Sequence, residues 1–87
     1  PRLSPNEERR MKRKRDEVTA EIEKAEARVA EIDLDFCRPG FFDRTEAHAV
    51  ASLEAERAEL QTEVDRLVEE WERLEKLLSE RSPGVGR

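Results

Sequence analysis

Six bases fall within seven positions near the start of this 87-residue chain: Arg9, Arg10, Lys12, Arg13, Lys14 and Arg15. Clustered guanidinium and ammonium groups gain free energy by displacing counterions from phosphates, so such a run is suited to gripping a nucleic-acid backbone. Arg9, Arg10, Lys12, Arg13 and Lys14 are the candidate nucleic-acid-binding residues. The competing use is internal, because Glu69, Glu70, Glu72 and Glu75 lie on a later segment that can fold back and neutralise the bases. No base-reading module accompanies the run, so charge and shape would drive the contact rather than sequence readout.

Little else in the chain has the makings of a reaction centre. A metal at His48, the lone histidine, would need further ligands, so the ordinary reading is a solvated side chain. A thiolate at Cys37, the lone cysteine, has only Arg38 beside it for support, and one thiol forms neither an internal disulfide nor a cysteine-based zinc site. The carboxylates are spread along helical faces, where ion pairing with nearby bases accounts for them. The expectation is a segment that is not an enzyme, with no catalytic residue, no metal and no cofactor.

The elements that hold the basic run must be helices. Leu, Ile, Val and Phe supply 19 of 87 residues, while charged residues make up 45%, too polar for a compact single core of this size. That balance fits a long helical pair or a disordered chain, and periodicity decides for the helices. Met11, Val18, Ile22, Ala25, Val29 and Ile32 follow a heptad rhythm, with Arg15 filling a gap. Val50, Leu53, Arg57, Leu60, Val64, Leu67, Trp71, Leu74 and Leu78 form a second such seam. Between the seams, Pro39-Gly40 marks a turn, and Phe36, Phe41 and Phe42 can plug it.

The sequence therefore predicts an all-α fold, a two-helix antiparallel coiled-coil hairpin. Residues 1–4 read as linker and N-cap, 5–32 as the first helix, 33–44 as the corner, 45–81 as the second helix and 82–87 as a flexible tail. Ser4, Pro5 and Glu7 have the spacing of a capping box with proline at the first helical position. Asp43 with Glu46, or Thr45 instead, can start the second helix. Pairing residues whose numbers add to 82 sets Ile32 against Val50, Val29 against Leu53, Ile22 against Leu60, Val18 against Val64 and Met11 against Trp71. The same register places Arg57 opposite Ala25, Arg15 opposite Leu67 and Lys14 near Glu70. At 1.5 Å per residue the helices would be roughly 40 and 55 Å long, a rod better shaped for reaching or bridging than for catalysis.

Charge is divided along this rod. Residues 1–15 sum to +5 and residues 16–87 to −10, which together make the net −5. The local excess at one end, not the acidic average, argues for an anionic partner there. No stretch approaches the ~18 apolar residues of a membrane span, and the charged N-terminal stretch lacks the apolar core of a signal peptide. The expected setting is cytoplasmic, with no membrane partner. Because the chain opens on Pro1, a piece of a longer protein is expected.

Three stretches resemble the C-terminal coiled-coil domain of bacterial ABC-F ATPases of the Uup type. Arg2-Leu3-Ser4 with Glu7, Arg9 and Met11 is similar to the family's opening, and Pro39-Gly40-Phe41-Phe42 with Arg44 to its corner. Glu70-Trp71-Glu72-Arg73-Leu74-Glu75 is similar to its ending. The likeness spans residues 2–78, with Pro5 in place of an aromatic, Arg38 in place of the corner Asp and Glu70 in place of Arg. The resemblance implies a non-catalytic accessory domain of an ATP-binding protein that binds DNA, or ribosomal or transfer RNA, and works beside its own ATPase domains. The C-terminal arm of valyl-tRNA synthetases is similar through the Pro-Gly-Phe corner but lacks the Trp-Glu-x-Leu-Glu ending. A structural protein-interaction coiled coil or spacer is the third reading. A monomer or weak dimer fits all three.

Overall fold

The computed structural model describes residues 3–81, a rod whose principal extents are 60 × 21 × 15 Å. Two long helices, α1 (Pro5–Phe36) and α3 (Ala47–Arg81), lie against each other, with a single-turn helix, α2 (Phe41–Arg44), at the corner. It is an all-α helical hairpin. Pro1, Arg2 and the tail at 82–87 lie outside the described residues.

The capping box starts α1. The Glu7 N–H donates to the Ser4 hydroxyl (3.2 Å), and the Ser4 N–H donates to the Glu7 carboxylate (3.0 Å). Pro5 costs nothing at the first helical position, where its missing N–H would have had no helical partner.

The first helix runs one turn beyond the expected end at Ile32. Asp33 to Phe36 contain no Gly or Pro, and continuing the helix gives Asp33 and Phe36 roles that a loose corner would not. Asp33 accepts a forked pair of hydrogen bonds from Arg57, at 2.6 and 3.1 Å. Phe36 joins Phe41 and Phe42 in a three-ring cluster, with centroids 5.3 to 5.8 Å apart. Gly40 then reverses the chain in the left-handed region, at φ 75°. The Arg44 guanidinium locks the turn by donating to the Pro39 carbonyl (2.8 Å).

The start of the second long helix also differs from expectation. Asp43 sits inside α2, and Thr45, in extended conformation, closes that helix. The first backbone bonds of α3 run from Ala49 and Val50 to the Glu46 carbonyl, so regular helix begins at Ala47, two residues past the expected 45.

The interior is a thin apolar stripe. Val18, Ala25, Ile32, Val64, Leu67 and Leu78 are buried along the seam, and Phe41 is buried at the corner. Met11, Ile22, Val29, Val50, Leu53, Leu60, Trp71 and Leu74 are half-buried beside them. Two facing helices without a third layer leave the flanks of the seam in contact with water.

The cross-helix ion pairs lie two to eight residues beyond the expected pairing to 82. Arg28 pairs with Glu56, Arg15 with Glu75 and Asp33 with Arg57, and these partners add to 84, 90 and 90. Met11 and Leu74 line one depression and Ala25, Leu60 and Leu67 another, residues whose numbers add to 85 or more across the helices. Charge explains the displacement. The expected register leaves Arg57 over a small apolar residue, whereas the observed one gives Arg57 and Arg28 a carboxylate on the opposite helix. Arg15 likewise leaves Leu67 for Glu75, at 3.2 Å.

Candidate functional site

The first four turns of α1 carry the basic run at the open end of the hairpin, away from the aromatic corner. Arg9, Arg10, Lys12, Arg13 and Lys14 are all exposed. They do not form one surface. At about 100° per residue, Arg9, Arg10 and Arg13 spread over an arc of about 100° on the side away from the seam, with Asn6 and Arg13 inside it and Arg10 at the edge nearer α3. Arg9, Arg10, Arg13 and Asn6 line a shallow, open depression together with Ser4 and Glu7. The Arg9 guanidinium donates to the Asn6 side-chain oxygen (2.6 Å), which fixes its reach along this face.

The two lysines face elsewhere. Lys12 lies on the flank and pairs with Glu8 one turn earlier, at 3.4 Å. Lys14 lies on the opposite flank, beside Met11 and Leu74. The five candidate residues thus resolve into an outward arginine face and two lysines on separate sides.

The expected neutralisation by α3 takes a different route. Glu75 is engaged by Arg15, which also reaches Asp16, and Glu70 faces Arg66 on its own helix at 3.9 Å. Among the described residues no carboxylate lies within ion-pairing distance of Arg10, Arg13 or Lys14. Lys14 therefore does not make the expected pairing with Glu70. Arg15, the base nearest the seam, carries the cross-helix bond, and the bases further from the seam stay open to solvent.

Two further clasps hold the rod that presents this face. Arg28 donates to both oxygens of Glu56, at 2.7 and 3.0 Å, and to Glu31 at 3.0 Å. The hydrogen bond with Glu56 comes first in raising the Arg28 pKa above its ordinary value, and the bond with Glu31 adds to it. Reciprocally, the bond from Arg28 holds the Glu56 carboxyl below the usual range, and the bond from Arg57 does the same for Asp33. Along α3, the bond from Arg66 lowers the pKa of Glu63 in the same way. These are structural pairs in contact with solvent, not acid–base machinery in a closed pocket.

No other chemistry assembles. His48 is exposed, with Nδ1 3.4 Å from Glu46, and Cys37 is exposed at the corner. Among the described residues no group of three or more His, Cys, Asp or Glu is placed to hold a metal ion. No described helix is long and apolar enough to cross a membrane. Sequence reasoning missed Asn6, which orients Arg9, and the apolar walls of the depression beside Lys14, formed by Leu3, Met11 and Leu74. The polar residue three places before Arg9 was the available signal for the first. The second depended on the helix register.

The described residues form a capped helical hairpin with an exposed cationic end, a rod that presents a charged surface at one tip. The family model described as the ABC transporter C-terminal domain matches residues 6–76, almost the whole of both long helices. The chain belongs to this family. No curated protein and no solved structure matches it significantly.

Proposed function

We propose that this hairpin is a nucleic-acid-binding accessory domain of an ABC-F ATP-binding protein of the Uup type, working in the cytoplasm beside that protein's ATPase domains. The observation that carries the reading is the outward face of Arg9, Arg10 and Arg13, whose charges are not consumed by α3. Three guanidinium groups on one rigid helical face suit the repeated charges of a phosphate backbone. The contact is electrostatic and indifferent to sequence, because nothing on this face is arranged to read base edges. The ATPase domains supply the reaction, and this arm supplies a grip and a reach.

Reversing the three arginines together (Arg9→Glu, Arg10→Glu, Arg13→Glu) tests the reading by fluorescence anisotropy with labelled duplex DNA and structured RNA. Binding should be lost while far-ultraviolet circular dichroism keeps its helical signal. Undiminished affinity in the triple variant would remove the arginine face from the function and leave a protein-docking arm or spacer as the role.

A further inference from the structure

Beside the arginine face, on the flank toward α3, lies an open notch of about 360 Å³. Its apolar walls come from Leu3, which precedes the helix cap, Met11 on α1 and Leu74 on α3. All three are half-buried, so each still presents hydrocarbon to water after the hairpin has formed. The polar lining is Arg10, Lys14 and Glu7, and the Glu7 carboxylate is drawn back toward the helix start by the Ser4 N–H. Arg10 borders both this notch and the outward depression that it shares with Arg9 and Arg13. An apolar recess and a cationic face therefore meet at one guanidinium.

We propose that the notch receives an unpaired base of a single-stranded nucleic acid whose phosphates rest on Arg9, Arg10 and Arg13. The inference builds on the nucleic-acid reading above and specifies its ligand as single-stranded. Charge narrows the occupant: Arg10 and Lys14 flank the apolar walls, so the ligand that suits them carries an anionic group beside an apolar one. A nucleotide joins those two features through one sugar. A duplex keeps its bases stacked inside and offers only phosphates to the arginines. A single strand can turn a base out onto an apolar surface or a guanidinium plane. The recess, about 360 Å³ and open to solvent, has room for a base.

The test uses the whole 87-residue chain with three labelled probes. They are an oligothymidylate of roughly 12 nucleotides, an abasic deoxyribose-phosphate strand of equal length and a duplex of that length. The thymidylate should bind about fivefold tighter than the abasic strand, the factor expected when one base gains a contact. It should also bind tighter than the duplex. Leu3→Ser removes one wall at a residue that precedes the helix cap and lies outside both long helices. It should bring thymidylate and abasic affinities within about twofold of each other while the helical signal is kept. Trp71 lies one turn from Leu74 on α3, so its fluorescence should respond to thymidylate and not to the abasic strand. Equal affinity for thymidylate and abasic strands would overturn the base notch while leaving the phosphate grip in place. A base preference that survives Leu3→Ser would also overturn it. Failure of all three probes to bind would instead remove the nucleic-acid reading, and the notch proposal with it.

Discussion

If the arm binds nucleic acid as proposed, the division of the basic run into three arginines and two flanking lysines sets the salt dependence of duplex binding. A duplex laid along the outward face meets Arg9, Arg10 and Arg13. Lys12 is turned aside toward Glu8, and Lys14 toward Leu74. Each neutralised phosphate contributes about −0.9 to the slope of log affinity against log salt, so three contacts give about −2.7. Between 50 and 200 mM salt that slope weakens binding about 40-fold, whereas five contacts would give about −4.5 and about 500-fold. Anisotropy titrations of labelled duplex over that range distinguish the two. Arg13→Gln should flatten the slope by about 0.9, and Lys12→Gln should leave it unchanged within error. A wild-type slope steeper than about −4, or a flattening by Lys12→Gln equal to that of Arg13→Gln, would refute the division into faces.

Further predictions concern the rod. Ile32 is fully buried between the long helices and the corner, so Ile32→Ala should cost about 2–5 kcal/mol, read as a large fall in the midpoint of urea or thermal unfolding. Gly40→Ala places a Cβ in the left-handed region 3.1 Å from an Arg44 nitrogen, and should cost about 1–2 kcal/mol in the same assay. Asp33 and Glu56 have folded pKa values below their ordinary ones, so they stabilise the hairpin above the ordinary carboxylate range. That stability should be lost as pH falls from that range through the lowered values. Asp33→Asn should lower the thermal midpoint at neutral pH and make it less sensitive to acid, and an acid dependence matching the parent would refute the assigned clasp.

Most of the architecture is legible in the sequence because its determinants are local. The Ser4-Pro5-Asn6-Glu7 cap, the two heptad seams and the Pro39-Gly40 turn each act within a few residues, and all three organise the hairpin. What sequence reasoning did not supply is nonlocal. Matching apolar seams alone fixes the pairing of two helices only to within a turn, because a slip of one heptad step sets one apolar residue against another at little cost. The seam here is thin and interrupted by Arg15 and Arg57, so charge has an unusual share in choosing among near-equal registers. An arginine stem can lie along the seam in either register, but only one register ends it at Asp33. The same choice decides the candidate site. Set near Leu74, Met11 leaves the notch beside Arg10. The ionic clasps far along the rod therefore position the apolar wall beside the phosphate grip, and a variant that loosens them should change base preference as well as stability. Arg57→Leu joined to Asp33→Leu replaces one clasp with apolar groups and allows the helices to slip. If base preference is unchanged in that pair while the hairpin remains folded, the notch does not depend on the register.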